Sequence, residues 1–201
     1  MGAVNDILTG ARYKIVDTLG KNYKDAELLS YANEGNRLLR KSVALINPDL
    51  ILTKETKNTV AGTDTVTTSG TILLAPDGYV YVDKKRLSMA KASDFDDLTV
   101  RGCPQYFWQE GFNGIRLLPV PDQTYSCDIR YVAQGAALVA GGNTPWPVEY
   151  DDLIQEYIVV RAGTRDEAAM DVEQQFLRWF TDQLSTMIIL STPAGAAKSM
   201  W

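Results

Sequence analysis

The sequence has no histidine and only two cysteines, Cys103 and Cys127, among its 201 residues. These absences close most of the usual routes to metal ligation, nucleophile activation and proton shuttling near neutral pH. Long apolar runs are missing as well: none approaches the roughly 20 residues that a membrane span requires. The opening Met1-Gly2-Ala3-Val4-Asn5-Asp6 shows neither the basic start nor the apolar stretch of a signal peptide. Asp6 also stands where a myristoylation signal wants Ser or Thr, so a cytosolic protein is expected. In a reducing cytosol two buried free thiols are the simpler reading of the cysteines, with a pair across neighbouring strands left open. The sequence shows no repeat with a period of about 20 to 50 residues, and no low-complexity tract.

What is present is the composition of an ordinary folded domain, 45% hydrophobic and 22% charged, which argues against disorder. A chain of this length buries roughly 70% of its unfolded surface, enough for one core with a sizeable elaboration. Charge is spread unevenly. Net charge is −5, yet residues 149 to 190 alone carry nine acidic and three basic side chains. Such a surface repels phosphates, so tight nucleic-acid binding through it is not expected.

Val4, Ile7, Leu8, Ala11, Ile15 and Leu19 recur at three- and four-residue steps and predict an amphipathic helix ended by Gly20. Residues 24 to 46 predict a second one, with Leu28, Leu29, Ala32, Leu38, Leu39, Val43 and Ile46 on its apolar stripe and Pro48 closing it. Asp25 and Glu27 at its start and Arg40 and Lys41 towards its end suit the helix dipole. Lys24 replaces the Ser or Thr that would cap it, leaving Asn22 as the candidate cap. From Thr53 the period shortens to two, and about five strands are expected up to residue 135, including a hairpin turning at Ser69-Gly70. Helix then resumes, bent near Gly163-Thr164-Arg165-Asp166. Its last stretch repeats Val172, Phe176, Phe180, Leu184 and Ile188 every four residues, a wide stripe that must pack against other helices.

The predicted fold is thus α+β: an antiparallel helical bundle of about four helices with a β-rich insertion between the second and third. Residues 1–52 and 136–190 form the bundle, 53–135 the insertion and 191–201 an extended C-terminal tail.

Two stretches carry a family resemblance. Asp25-Ala26-Glu27-Leu28-Leu29-Ser30-Tyr31-Ala32-Asn33-Glu34-Gly35, preceded by Ala11-Arg12-Tyr13, is similar to the opening helices of the head-to-tail adaptors, or connectors, of tailed bacteriophages. Ile115-Arg116-Leu117-Leu118-Pro119-Val120-Pro121-Asp122, followed by Tyr131 and by Asp151-Asp152-Leu153-Ile154-Gln155-Glu156-Tyr157, resembles the strand, turn and later helix of the same family. The resemblance implies a structural virion protein, found in the host cytoplasm before assembly and at the head-tail interface after it. It implies a homo-oligomeric ring, commonly a dodecamer, that binds the portal protein above and a tail protein below. DNA passes through its axial channel without sequence-specific binding. No cofactor, metal, membrane or enzymatic activity is expected. The alternative is a tail or baseplate module that binds a receptor or glycan through the β-region.

Several side chains invite sharper readings. Met200 and Trp201, with Lys198, are candidates for docking the tail onto the portal, since Trp is enriched at interface hot spots; folding back on the chain's own helices is the plain reading. Asp171 and Glu173 are candidates for lining the channel, against the plainer reading of a solvated helix face. Lys84-Lys85-Arg86 and the group Arg37, Arg40, Lys41 invite a nucleic-acid reading, against which solvated faces or interfaces between subunits are the expected use. Tyr106-Phe107-Trp108 reads as core before sugar platform. Asp96-Asp97 and Asp151-Asp152 lack the spacing of a calcium loop, and the second pair suits a first helical turn.

Overall fold

The structure, a computed structural model, describes the backbone of residues 2–95, 99–164 and 170–191, with the side chains of 95, 170–173 and 189–191 outside the description. Among the described residues four α-helices form: α1 (Val4–Lys14), α2 (Asp25–Ile46), α3 (Val148–Gly163) and α4 (Met170–Ser191). Among the same described residues nine strands lie between α2 and α3: β1 (Leu52–Asn58), β2 (Thr65–Thr67), β3 (Ile72–Leu74), β4 (Val80–Val82), β5 (Lys85–Arg86), β6 (Ser88–Met89), β7 (Tyr106–Glu110), β8 (Gly114–Leu118) and β9 (Ser126–Ala133). The chain divides into two compact units, Met1–Asn47 with Gly135–Trp201, and Pro48–Gln134.

This corrects the expected helical bundle with one β insertion. The middle of the chain is not an excursion of about five strands but two mostly antiparallel sheets with a core of their own. The sequence understates it because β2 to β6 are two or three residues long, too short for alternation to register.

In the helical unit, Val4, Ile7, Leu8 and Ala11 of α1 are buried, as are Leu28, Ala32, Gly35, Leu39 and Val43 of α2. Both sets follow the three- and four-residue steps of one helical face. No side chain caps α2, whose N-cap is Lys24, and no basic residue reaches its last turn. Phe176, Phe180, Leu184 and Ile188 of α4 are all buried. Phe176 meets Tyr157 of α3 edge-on, with ring centroids 5.9 Å apart.

In the β unit one sheet runs β1-β9-β4-β5, with β3 also on β9, and the other runs β2-β8-β7-β6. All pairings are antiparallel except β6 with β7. One core draws on both sheets, through Val66, Ile72, Val80, Val82, Phe107, Ile115, Leu117, Ile129 and Tyr131 among others. The hairpin expected at Ser69-Gly70 does not form. β2 pairs with β8 and β3 with β9, so this turn carries the chain from one sheet to the other. Side chains hold the corner in place of a ladder. Thr68 donates its hydroxyl to the Gly70 carbonyl at 2.8 Å, and the Glu55 carboxylate accepts the Ser69 N–H at 3.0 Å.

Candidate partner-binding surface

The periodicity of the first helix runs through Ile15 and Leu19, but α1 stops at Lys14. The cause is Asp17. Its carboxylate is buried and accepts backbone N–H groups from Lys21 (2.9 Å), Asn22 (3.1 Å) and Tyr23 (2.9 Å). A short acidic side chain that captures backbone donors in this way offers the chain an alternative to continuing the helix. Arg12 pairs with the same carboxylate at 3.1 Å and with Asp25 at the start of α2 at 2.6 Å. Burial alone would raise the Asp17 carboxyl, but these three donors and Arg12 outweigh it and hold it below its ordinary 3.8.

The turn so built pushes apolar groups outward. Tyr13 is 69% exposed, Val16 85% and Leu19 77%. Val16 adopts φ +58°, a left-handed conformation costing a β-branched residue about 1–2 kcal/mol. Val16 and Leu19 in this strained, braced turn, with Tyr13 in the last turn of α1, make an exposed apolar patch and the candidate contact surface. The sequence signal that points to it is Asp17 three residues before Gly20, a turn pair inside an otherwise helical period.

The residues that carry the family resemblance prove to be structural. Asn33 clamps the segment leading into α3, its Oδ1 accepting the Leu138 N–H at 2.7 Å and its Nδ2 donating to the Leu138 carbonyl at 3.1 Å. Glu34 pairs with Arg161 at 3.4 Å and accepts the Tyr157 hydroxyl at 3.4 Å. Gly35 lets α3 come close: a Cβ there would lie 3.1–3.2 Å from three atoms of Tyr157. The next residue, buried Asn36, accepts the Trp146 indole N–H at 2.7 Å. In the β unit, Arg116 bonds Asp64 at 2.7–2.8 Å, Leu117 and Val120 are buried, and Asp122 accepts the Tyr125 hydroxyl at 2.6 Å. The Leu118–Pro119 peptide within this corner is cis.

Of the residues singled out from the sequence, Lys198, Met200 and Trp201 lie outside the described residues, as do Asp96, Asp97 and the side chains of Asp171 and Glu173. Lys84-Lys85-Arg86 follow Asp83 at the exposed β4–β5 turn, where Asp83 and Lys84 both have positive φ. Arg37 and Lys41 are exposed on α2, whereas Arg40 is half-buried and packs on Gly135. Phe107 fills the β core, while Tyr106 and Trp108 alternate onto the outer face of their sheet, opposite Leu118 and Arg116. Asp151 lies in the first turn of α3 and is buried, accepting the Gly2 N–H at 3.0 Å. Both cysteines are free thiols. No helix among the described residues is long and apolar enough to cross a membrane.

Among curated proteins none matches the chain. A protein-family model described as SU10 adaptor protein matches residues 3–197. The match takes in both structural motifs, the braced turn and the two units together. The chain therefore belongs to the SU10 adaptor protein family, in keeping with its resemblance to phage head-to-tail adaptors, and is a phage adaptor, a virion component that associates with other virion proteins.

Proposed function

We propose that the protein is a non-enzymatic, ring-forming adaptor that joins the portal vertex of the phage head to the tail and surrounds an axial channel for DNA. The observation that carries the reading is the α1–α2 turn. Tyr13, Val16 and Leu19 are exposed on a backbone braced by Asp17 and Arg12, and a preorganised apolar surface loses little ordering entropy when a partner covers it. Membership of an adaptor family supplies the class of partner. Residues 191–201, with Lys198, Met200 and Trp201, are the segment that would reach the portal, and Asp171 and Glu173 are the acidic residues that would face passing DNA without adhering to it.

Negative-stain micrographs of the purified chain mixed with portal rings test the reading. Annular density capping one end of the portal is the expected result, and portal rings left bare at saturating chain would refute it. Removal of residues 191–201 is expected to leave the helical circular-dichroism signal intact and abolish portal binding; unchanged binding would remove the tail from the proposal.

A further inference from the structure

The β unit leaves one long sheet edge open. β1 ends its sheet and pairs on one side only, with β9, in an unbroken register from Leu52↔Val132 to Asn58↔Ser126. The strands that end the sheets elsewhere, β2, β5 and β6, are two or three residues long, against seven for β1.

The ladder decides which groups face outward. Thr59 donates its N–H to the Tyr125 carbonyl at 2.9 Å. By alternation Thr53, Glu55 and Lys57 turn their backbone groups to β9, and Lys54, Thr56 and Asn58 turn theirs away from it. No hydrogen bond among the described residues uses the outward N–H or carbonyl of these three. An edge of this length is ordinarily guarded by a bulge, a proline or a lysine that repels another strand. β1 has neither proline nor bulge. Its two lysines are already paired within the chain, Lys54 with Asp128 at 3.0 Å and Lys57 with Glu55 at 3.5 Å.

The edge is complementary to itself in one register. Sliding one β1 antiparallel along another in two-residue steps keeps outward groups facing outward groups, and the opposed side chains then differ from step to step. One step sets Lys54 against Lys54, the next Glu55 against Glu55, and the last Lys57 against Lys57. Between the second and the last lies a register with Thr56 opposite Thr56, Lys54 opposite Asn58 and Glu55 opposite Lys57. It opposes no like charges, and two-fold symmetry repeats the Glu55–Lys57 match. Glu55 is held in place for it by the Tyr131 hydroxyl at 2.5 Å and the Ser69 N–H at 3.0 Å. A two-fold parallel pairing is in register by symmetry and sets every charge beside its own copy.

We propose that two copies of the chain pair through β1, antiparallel about a two-fold axis at Thr56, merging two edges into one continuous sheet through about six backbone hydrogen bonds. Such a contact is closed. It makes a dimer of the free chain, goes beyond the adaptor reading and is separate from the lateral contact that closes a ring.

Sedimentation equilibrium of the full-length chain is expected to show monomer and dimer in exchange. Thr56→Pro removes the central outward N–H from both copies and spares the β9 ladder, to which that N–H does not donate. At least about a tenfold rise in the dimer dissociation constant is expected. Lys57→Glu, which opposes acid to acid, is expected to act in the same direction and takes its place if circular dichroism shows that Thr56→Pro does not fold. Oxidative crosslinking, mapped by peptide mass spectrometry, reads the register. Opposed Cα atoms at a hydrogen-bonded position lie about 5.5 Å apart, within reach of a disulfide. Thr56→Cys is therefore expected to crosslink to itself, whereas Lys54→Cys crosslinks to Asn58→Cys and not to itself. A wild-type chain that stays monomeric at its highest soluble concentration, folded variants that dimerise as tightly as wild type, or Lys54→Cys crosslinking to itself as readily as Thr56→Cys would each overturn the pairing. All these readouts are made without portal and leave the ring reading to its own test.

Discussion

Gly35 offers a sharp test of how the family motif positions α3. Replacing it with alanine adds one methyl group to the middle of α2, which by intrinsic helix propensity should stabilise by about 1 kcal/mol. The added Cβ, however, would stand 3.1 Å from Cδ1, 3.2 Å from Cβ and 3.2 Å from Cγ of Tyr157, where carbon pairs prefer about 3.5–4.0 Å. The ring has little room to give, because its hydroxyl bonds Glu34 and its edge meets Phe176. Overpacking of this kind costs about 1–3 kcal/mol. Gly35→Ala should thus be neutral to destabilising by about 2 kcal/mol, a fall in Tm of up to roughly 8 °C for a chain of this size. Gly35→Leu should cost more, since the branched side chain has to enter the same seam. In a Tyr157→Ala background two of the three close atoms are gone, and Gly35→Ala should move back towards the stabilising value set by propensity. Urea or thermal unfolding followed by circular dichroism at 222 nm measures all four combinations. If Gly35→Ala stabilises the wild-type chain by about 1 kcal/mol, with no coupling to Tyr157, the close approach of α2 and α3 is wrong.

Other outcomes follow from single groups. Burial raises the Asp151 carboxyl above its ordinary 3.8, with the Thr144 hydroxyl and the Gly2 N–H only partly offsetting it. A carboxyl raised in the folded state is most favourable when protonated, and its contribution is lost as pH rises through the folded value. Asp151→Asn, which stays neutral, should raise Tm at pH 7 and lose that advantage below pH 3.8; an equal effect at both values would refute the assignment. Asp17 has the opposite sign. Its carboxyl is depressed, so its stabilising contribution is present above 3.8 and fades as pH falls further. Asp17→Ala should abolish that acid dependence and increase hydrogen exchange at the Lys21, Asn22 and Tyr23 amides. The Cys127 thiol is buried and pushed up to about 12 by desolvation, first, and by Asp128. A thiol reagent at neutral pH should therefore label Cys103, which is half-buried, and reach Cys127 only in denaturant.

How much of this was legible beforehand depended on range. The stripe Phe176, Phe180, Leu184, Ile188 and the α2 stripe are local patterns, and all four α4 side chains and most of the α2 set are buried where periodicity placed them. The order helix, helix, strands, helix, helix was legible for the same reason. The end of α1 was not. Leu19 fits the helical period, but a carboxylate two residues away captures the backbone and leaves Leu19 in solvent.

Sequence by itself determined the element types, the chemistry closed off by the missing histidines and the motifs that place the chain in its family, because each depends on residue identity or on spacing within a few turns. Only tertiary structure decided that β2 and β3 part at Ser69-Gly70 to join different sheets, and that Gly35 faces Tyr157. Those outcomes depend on which distant segment reaches a given side chain first. A pattern with a period of two or 3.6 residues says which face is apolar, and leaves open what that face will meet.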